Sequence, residues 1–120
     1  MKKEISTLLR ELGISPDLSG FHYLKEAIQM VWYDETLLHN NVTKVLYPTV
    51  AKKFKTTAMR VERGMRHAIE KGTLRTNIDL VRDIFGNTIS PYSNKPTNSQ
   101  FIGCVVEYLL MQELSEIEKQ

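Results

Sequence analysis

Five residues within eight positions carry the most legible chemistry of this chain: Arg60, Glu62, Arg63, Arg66 and His67. An arginine guanidinium can donate two hydrogen bonds to the major-groove edge of guanine, and a carboxylate can accept one from the amino group of cytosine. Glu62 next to Arg63 is therefore a candidate reader of neighbouring G and C positions, with Arg60 a third candidate base contact. Arg66 and His67 suit either a base or a phosphate. Four lysines just upstream, Lys44, Lys52, Lys53 and Lys55, suit phosphates, which position a protein on a duplex without reporting its sequence. A glutamate lowers affinity for any polyanion, so its place inside this basic stretch argues for specificity.

These side chains need a helix to aim them. With residues 57–72 projected at the helical period, Val61, Met65, Ala68, Ile69 and Gly72 fall on one arc, small and apolar. Met59, Arg60, Glu62, Arg63, Arg66, His67 and Glu70 fall on the other. Thr57 is the expected N-cap and Gly72 the expected stop. Upstream, Pro48 suits the first turn of a shorter helix whose apolar side is Val50, Ala51 and Phe54. Lys55-Thr56-Thr57 is the turn between the two. A short helix, a tight turn and a longer helix form a helix-turn-helix. The second helix of such a pair lies in the major groove, its first residues at the base edges.

Charge partition supports a polyanion partner. The net charge of +2 divides into −2 over residues 1–42, +7 over 43–75 and −3 over 76–120. A domain near neutrality thus concentrates its positive charge in its middle third. At 120 residues the chain is long enough for one domain with one core. Charges interrupt every apolar run, so no membrane span is expected. One cysteine, Cys104, excludes an internal disulfide, fits a cytoplasmic setting and reads as a small buried hydrophobe. There is no Gly-rich phosphate loop, no Cys/His ligand spacing and no nucleophile motif. An enzyme, a bound metal and a cofactor are therefore not expected. His22 and His39 are isolated, and the acids Asp34-Glu35 sit at the expected end of a helix.

The remaining elements also read as helices. Ile5, Leu8, Leu9 and Leu12 form one stripe, stopped by Gly13, and residues 14–20 form a connector. Leu24, Ala27, Ile28, Val31 and Trp32 form the buried stripe of a helix over 21–33, and Trp32 and Tyr33 are expected to pack. A short helical turn is expected over 34–41. Asn77 can cap a helix through Ile78, Leu80, Val81, Ile84 and Phe85, ended by Gly86, with a polar loop after it. Thr97-Asn-Ser-Gln100 has the form of a capping box. The last helix, about 99–116, should bury Phe101, Ile102, Val105, Val106, Leu109, Leu110 and Leu114. No stretch alternates as a strand does. The expected fold is all-α, a compact bundle of about six helices.

At the level of short strings a family resemblance becomes specific. Lys44-Val-Leu-Tyr-Pro48, Ala51-Lys-Lys-Phe54, Thr56-Thr-Ala58, Arg60-Val-Glu-Arg63 and Arg66-His-Ala-Ile-Glu70 closely resemble the C-terminal effector domain of the stage-zero sporulation response regulators. Gly20-Phe-His-Tyr-Leu24, Asn77-Ile-Asp79, Phe85-Gly86 and Lys95-Pro-Thr-Asn-Ser99 extend the likeness over nearly the whole chain. The resemblance implies a six-helix effector domain over residues 1–120, with its turn near 55–57 and its recognition helix over about 57–71. It implies binding to double-stranded DNA at boxes resembling TGTCGAA, often in tandem, to activate or repress transcription. Arg60, Glu62, Arg63, Arg66 and His67 then form the DNA-contacting set.

The resemblance also implies a contact between residues 76–89 and the sigma subunit of RNA polymerase, with Asn77, Asp79, Leu80 and Phe85 as candidates. The receiver domain that precedes the effector in that family has no counterpart in these residues. Thr76, where the family usually has glycine, Leu80 and Lys71-Gly-Thr-Leu74 depart from the family pattern, which weakens the sigma expectation. Met59 and Gly64 replace residues such as serine or alanine. Gly64 costs about 1 kcal/mol relative to alanine in a helix interior, or it eases a close approach to DNA or to another helix. The competing reading is a helical module that docks on an acidic protein without reading DNA.

Overall fold

The computed structural model describes residues 1–72, 78–86 and 95–119. These residues form an all-α bundle of six α-helices: α1 (Lys2–Glu11), α2 (Ser19–Tyr33), α3 (Tyr47–Lys53), α4 (Ala58–Gly72), α5 (Ile78–Phe85) and α6 (Asn98–Lys119). A 3-10 turn, Glu35–Leu38, and a wide helical turn, Val42–Leu46, lie between α2 and α3. The wide turn runs directly into α3, so Pro48, in the first turn of α3, sits inside a continuous helical path.

The core is built from one stripe of each helix. Ile5, Leu9, Leu24, Ile28, Leu46, Val50, Val61, Met65, Phe101 and Ile102 are all nearly inaccessible. Each such side chain contributes about 1.5–3 kcal/mol through burial. Phe85 of α5 packs on Phe101 of α6, ring centroids 5.5 Å apart. Cys104 is half-buried against this core.

Local chemistry sets the helix ends. The C-terminus of α1 closes through Gly13, with φ 82°, where the Gly13 N–H donates to Arg10 O and the Ile14 N–H to Leu9 O. This is the Schellman arrangement, in which glycine fits a left-handed residue without strain. At α6, Thr97 Oγ1 accepts from the Gln100 N–H (3.1 Å) while Gln100 Oε1 accepts from the Thr97 N–H (2.9 Å). The capping box is thus reciprocal.

The structure differs from the sequence reading at several points. Gly20, assigned to the connector, lies inside α2, where a Cβ would strike Gly64 O and come within 2.7 Å of the Ala68 Cβ. Its missing side chain is what allows α2 to touch α4. Trp32 is only half-buried and Tyr33 is 74% exposed, because α2 ends at the bundle's edge there. Phe54 caps α3 without entering the core. It is 37% exposed and meets Tyr23 edge-on at 5.3 Å. Leu114 is 52% exposed, and Leu110 is half-buried. The reason is length: α6 runs on to Lys119, and the residues from Met111 to Lys119 are all exposed.

Candidate nucleic-acid interface

Helices α3 and α4 have the helix-turn-helix arrangement, joined by Phe54, Lys55, Thr56 and Thr57. The turn closes as α1 does: the Lys55 N–H donates to Lys52 O and the Thr56 N–H to Ala51 O. Here, however, a lysine holds the left-handed position, with φ 55°. That conformation costs a non-glycine residue about 1–2 kcal/mol, and it leaves the Lys55 side chain exposed. Thr57 then caps α4, its Oγ1 accepting from the Arg60 N–H at 3.2 Å.

Helix α4 divides as its projection requires. Val61, Met65, Ala68, Ile69 and Gly72 are buried, while Met59, Arg60, Arg63, Arg66, His67 and Glu70 are exposed. Gly64 lies against α2. A Cβ there would come within 2.9 Å of the Tyr23 ring. Gly64 therefore accommodates Tyr23, which also supports Phe54 in the turn. One aromatic side chain of α2 thus braces both the turn and the helix that follows it.

On the exposed face the cations differ in freedom. Among the described residues, the side chains of Arg60, Arg63 and His67 make no ion pair or hydrogen bond. Arg66 Nε lies 3.3 Å from Glu62 Oε1, an i,i+4 pair with both side chains partly exposed. Such pairs contribute only about 0.3–0.5 kcal/mol, so either partner can be released to a stronger acceptor or donor. Lys44 and Lys52 are exposed. Lys53 Nζ instead lies 2.7 Å from Glu26 Oε2 of α2 and 6.0 Å from the Phe54 ring centroid. It is the one lysine of the four that the fold engages among the described residues.

Two features were not legible in the sequence. The first is Asn98, 7% exposed at the start of α6. Its Nδ2 donates to Tyr47 Oη of α3 and to the Glu62 carbonyl oxygen of α4, both at 3.1 Å. The amide thus ties both helices of the pair to a third. Burial raises the Tyr47 phenol above its ordinary value, with the Asn98 hydrogen bond opposing that rise. The second is Lys95, which lines an open recess of about 360 Å³ together with Arg66, Glu62, Glu70 and Tyr47. Lys95 adds a cation beside the exposed face of α4 from a distant part of the chain.

The expected sigma-facing positions are placed differently from one another. Asp79 is exposed, whereas Leu80 and Phe85 are buried, because α5 packs its apolar side on α6. Among the described side chains of α5, those offered outward are Asp79, Arg82 and Asp83. Asn77 lies outside the described residues, as does the stretch 73–77 with its departures from the family pattern. Among the described residues, no cluster of His, Cys, Asp or Glu could hold a metal ion. No helix there is long and apolar enough to cross a membrane.

The geometry is that of a basic helix-turn-helix face, braced from behind by Tyr23 and from the side by Asn98. A family model described as "Sporulation initiation factor Spo0A C terminal" matches residues 5–109, a span that includes α2 to α5, most of α1 and the packed half of α6. The chain therefore belongs to the Spo0A C-terminal family, as a DNA-binding domain of a sporulation transcription factor.

Proposed function

We propose that this domain reads short promoter boxes resembling TGTCGAA by laying α4 in the major groove. The observation that supports it best is the pair Arg60 and Arg63, exposed and unpaired among the described residues on the first turns of α4. In this reading Arg63 and Arg60 donate to guanines and Glu62 accepts from a cytosine after releasing Arg66. Arg66 and His67 serve base or phosphate, and Lys44, Lys52, Lys53 and Lys55 hold phosphates. Lys53 would do so with a donor left over from Glu26. Tandem boxes would place two copies side by side. Activation would run through the RNA polymerase sigma subunit, reached by the outward residues of α5, Asp79 foremost.

The test is a fluorescence-anisotropy titration of a TGTCGAA duplex against a scrambled one, at near-physiological salt. We expect a clear preference for the box. The log–log salt slope should be on the order of −3 to −4, about −0.9 for each of the four lysine–phosphate contacts. Arg63→Ala should cost about 1–3 kcal/mol on the box and relax preference at one base pair. Equal binding to both duplexes, together with tight binding to an acidic protein, would establish the interaction-module reading instead. An Arg63→Ala variant indistinguishable from the parent on both duplexes would remove α4 as the reading helix.

A further inference from the structure

Met59 is the one large apolar side chain on the outward face of α4 among the described residues, and it is 63% exposed. It sits in the first turn of the helix, three residues before Glu62 and four before Arg63. That spacing puts all three side chains on one face. In projection Met59 falls between Arg63 and Arg66, in the middle of the arc assigned to DNA. Among the described residues nothing covers it, although Val61 and Met65 of the same helix are fully buried.

The chemistry of the groove restricts what can cover it. A thioether side chain offers no hydrogen-bond donor, so pressing it on a phosphate or a polar base edge would desolvate that edge without compensation. The 5-methyl group of thymine is the apolar feature a base pair presents in the major groove. Methionine, unbranched and flexible, can adapt to a methyl group whose position is fixed by the duplex. The first turn of a recognition helix is also the part that comes nearest to base edges.

We propose that Met59 is a specificity-determining residue that reads a thymine methyl group within the bound box. The proposal rests on the assignment of α4 as the base-reading helix. It gives the apolar half of the readout to a residue outside the set of charged side chains.

Uracil scanning tests it, because replacing thymine by uracil removes the methyl group and leaves every hydrogen-bonding atom in place. Each thymine of the TGTCGAA duplex, on both strands, is replaced in turn. Affinity is measured by fluorescence anisotropy at fixed salt for the parent protein and for Met59→Ala, with far-UV circular dichroism as a check on folding. For the parent we expect one substitution to weaken binding about fourfold, the equilibrium equivalent of about 0.8 kcal/mol for one buried methylene-sized group. For Met59→Ala the same substitution should have no effect, and affinity for the scrambled duplex should match the parent's. The proposal is overturned if every uracil substitution is neutral in the parent, or if the sensitive one costs the variant as much. A parent protein with no preference for the box at all overturns the base-reading assignment and this proposal together. A box preference without methyl dependence overturns this proposal alone.

Discussion

Replacing Asn98 with alanine asks whether α4, the proposed reading helix, is held at its angle from outside the helix-turn-helix pair. The amide donates two hydrogen bonds, to Tyr47 Oη and to the Glu62 carbonyl, and is almost fully buried. A buried hydrogen bond contributes about 0.5–1.5 kcal/mol net, so losing both costs about 1–3 kcal/mol. For a domain of this size that corresponds to a fall in Tm of roughly 4–12 °C. Thermal unfolding followed by circular dichroism reads the stability term. Anisotropy on box and scrambled duplexes, well below Tm, reads the positioning term: preference for the box should narrow while non-specific affinity holds, because the cations themselves are untouched. Tyr47→Phe, alone and combined with Asn98→Ala, completes a double-mutant cycle, for which we expect a coupling of about 0.5–1.5 kcal/mol. Unchanged Tm and unchanged preference would refute the clamp, and strict additivity in the cycle would refute the Tyr47 arm of it.

Other consequences are as direct. Lys55→Gly should stabilise the domain by about 0.5–1 kcal/mol in urea denaturation, since glycine relieves the left-handed strain at some cost in unfolded-state entropy. The same variant should bind all duplexes more weakly, with a shallower salt slope. Gly20→Ala should destabilise by at least about 1–3 kcal/mol, because its Cβ would meet α4 backbone and not a flexible side chain. The Tyr47 phenol is raised in the folded state. Its contribution to stability is therefore present below the unfolded phenol pKa of about 10 and lost as pH rises above it. An ultraviolet titration of tyrosinate should show a late component that Tyr47→Phe removes.

What could be read in the sequence was what local periodicity and short-range caps determine. The two arcs of α4 separate buried from exposed residues as projected, since a helix repeats its face every 3.6 residues whatever lies around it. The Thr57 cap and the Thr97–Gln100 box were legible because both partners lie within three residues. Periodicity names a face, though, and not whether anything covers it. Leu114 lies in the apolar run of its helix and is exposed because the bundle ends before α6 does. Lys55 carried no signal for its left-handed position, where glycine is the usual occupant. The Lys53–Glu26 pair joins residues 27 apart, and the Asn98 clamp spans still more. Asn98 read locally as part of a cap, and only the packed structure shows that its amide points at another helix.

That span has a consequence in time. Asn98 lies 36 residues after Glu62 and 51 after Tyr47. During synthesis the turn, the Thr57 cap and every arginine of α4 are complete well before Asn98 is added. The pair is then tied to α6 by a non-local contact, of the kind that forms late because a long loop must close first. A chain broken between Gly72 and Lys95 keeps the basic residues of α3 and α4 and loses the Asn98 amide that ties those helices to α6. If α4 reads bases as proposed, such a fragment should bind DNA with less discrimination between box and scrambled duplexes than the intact domain does.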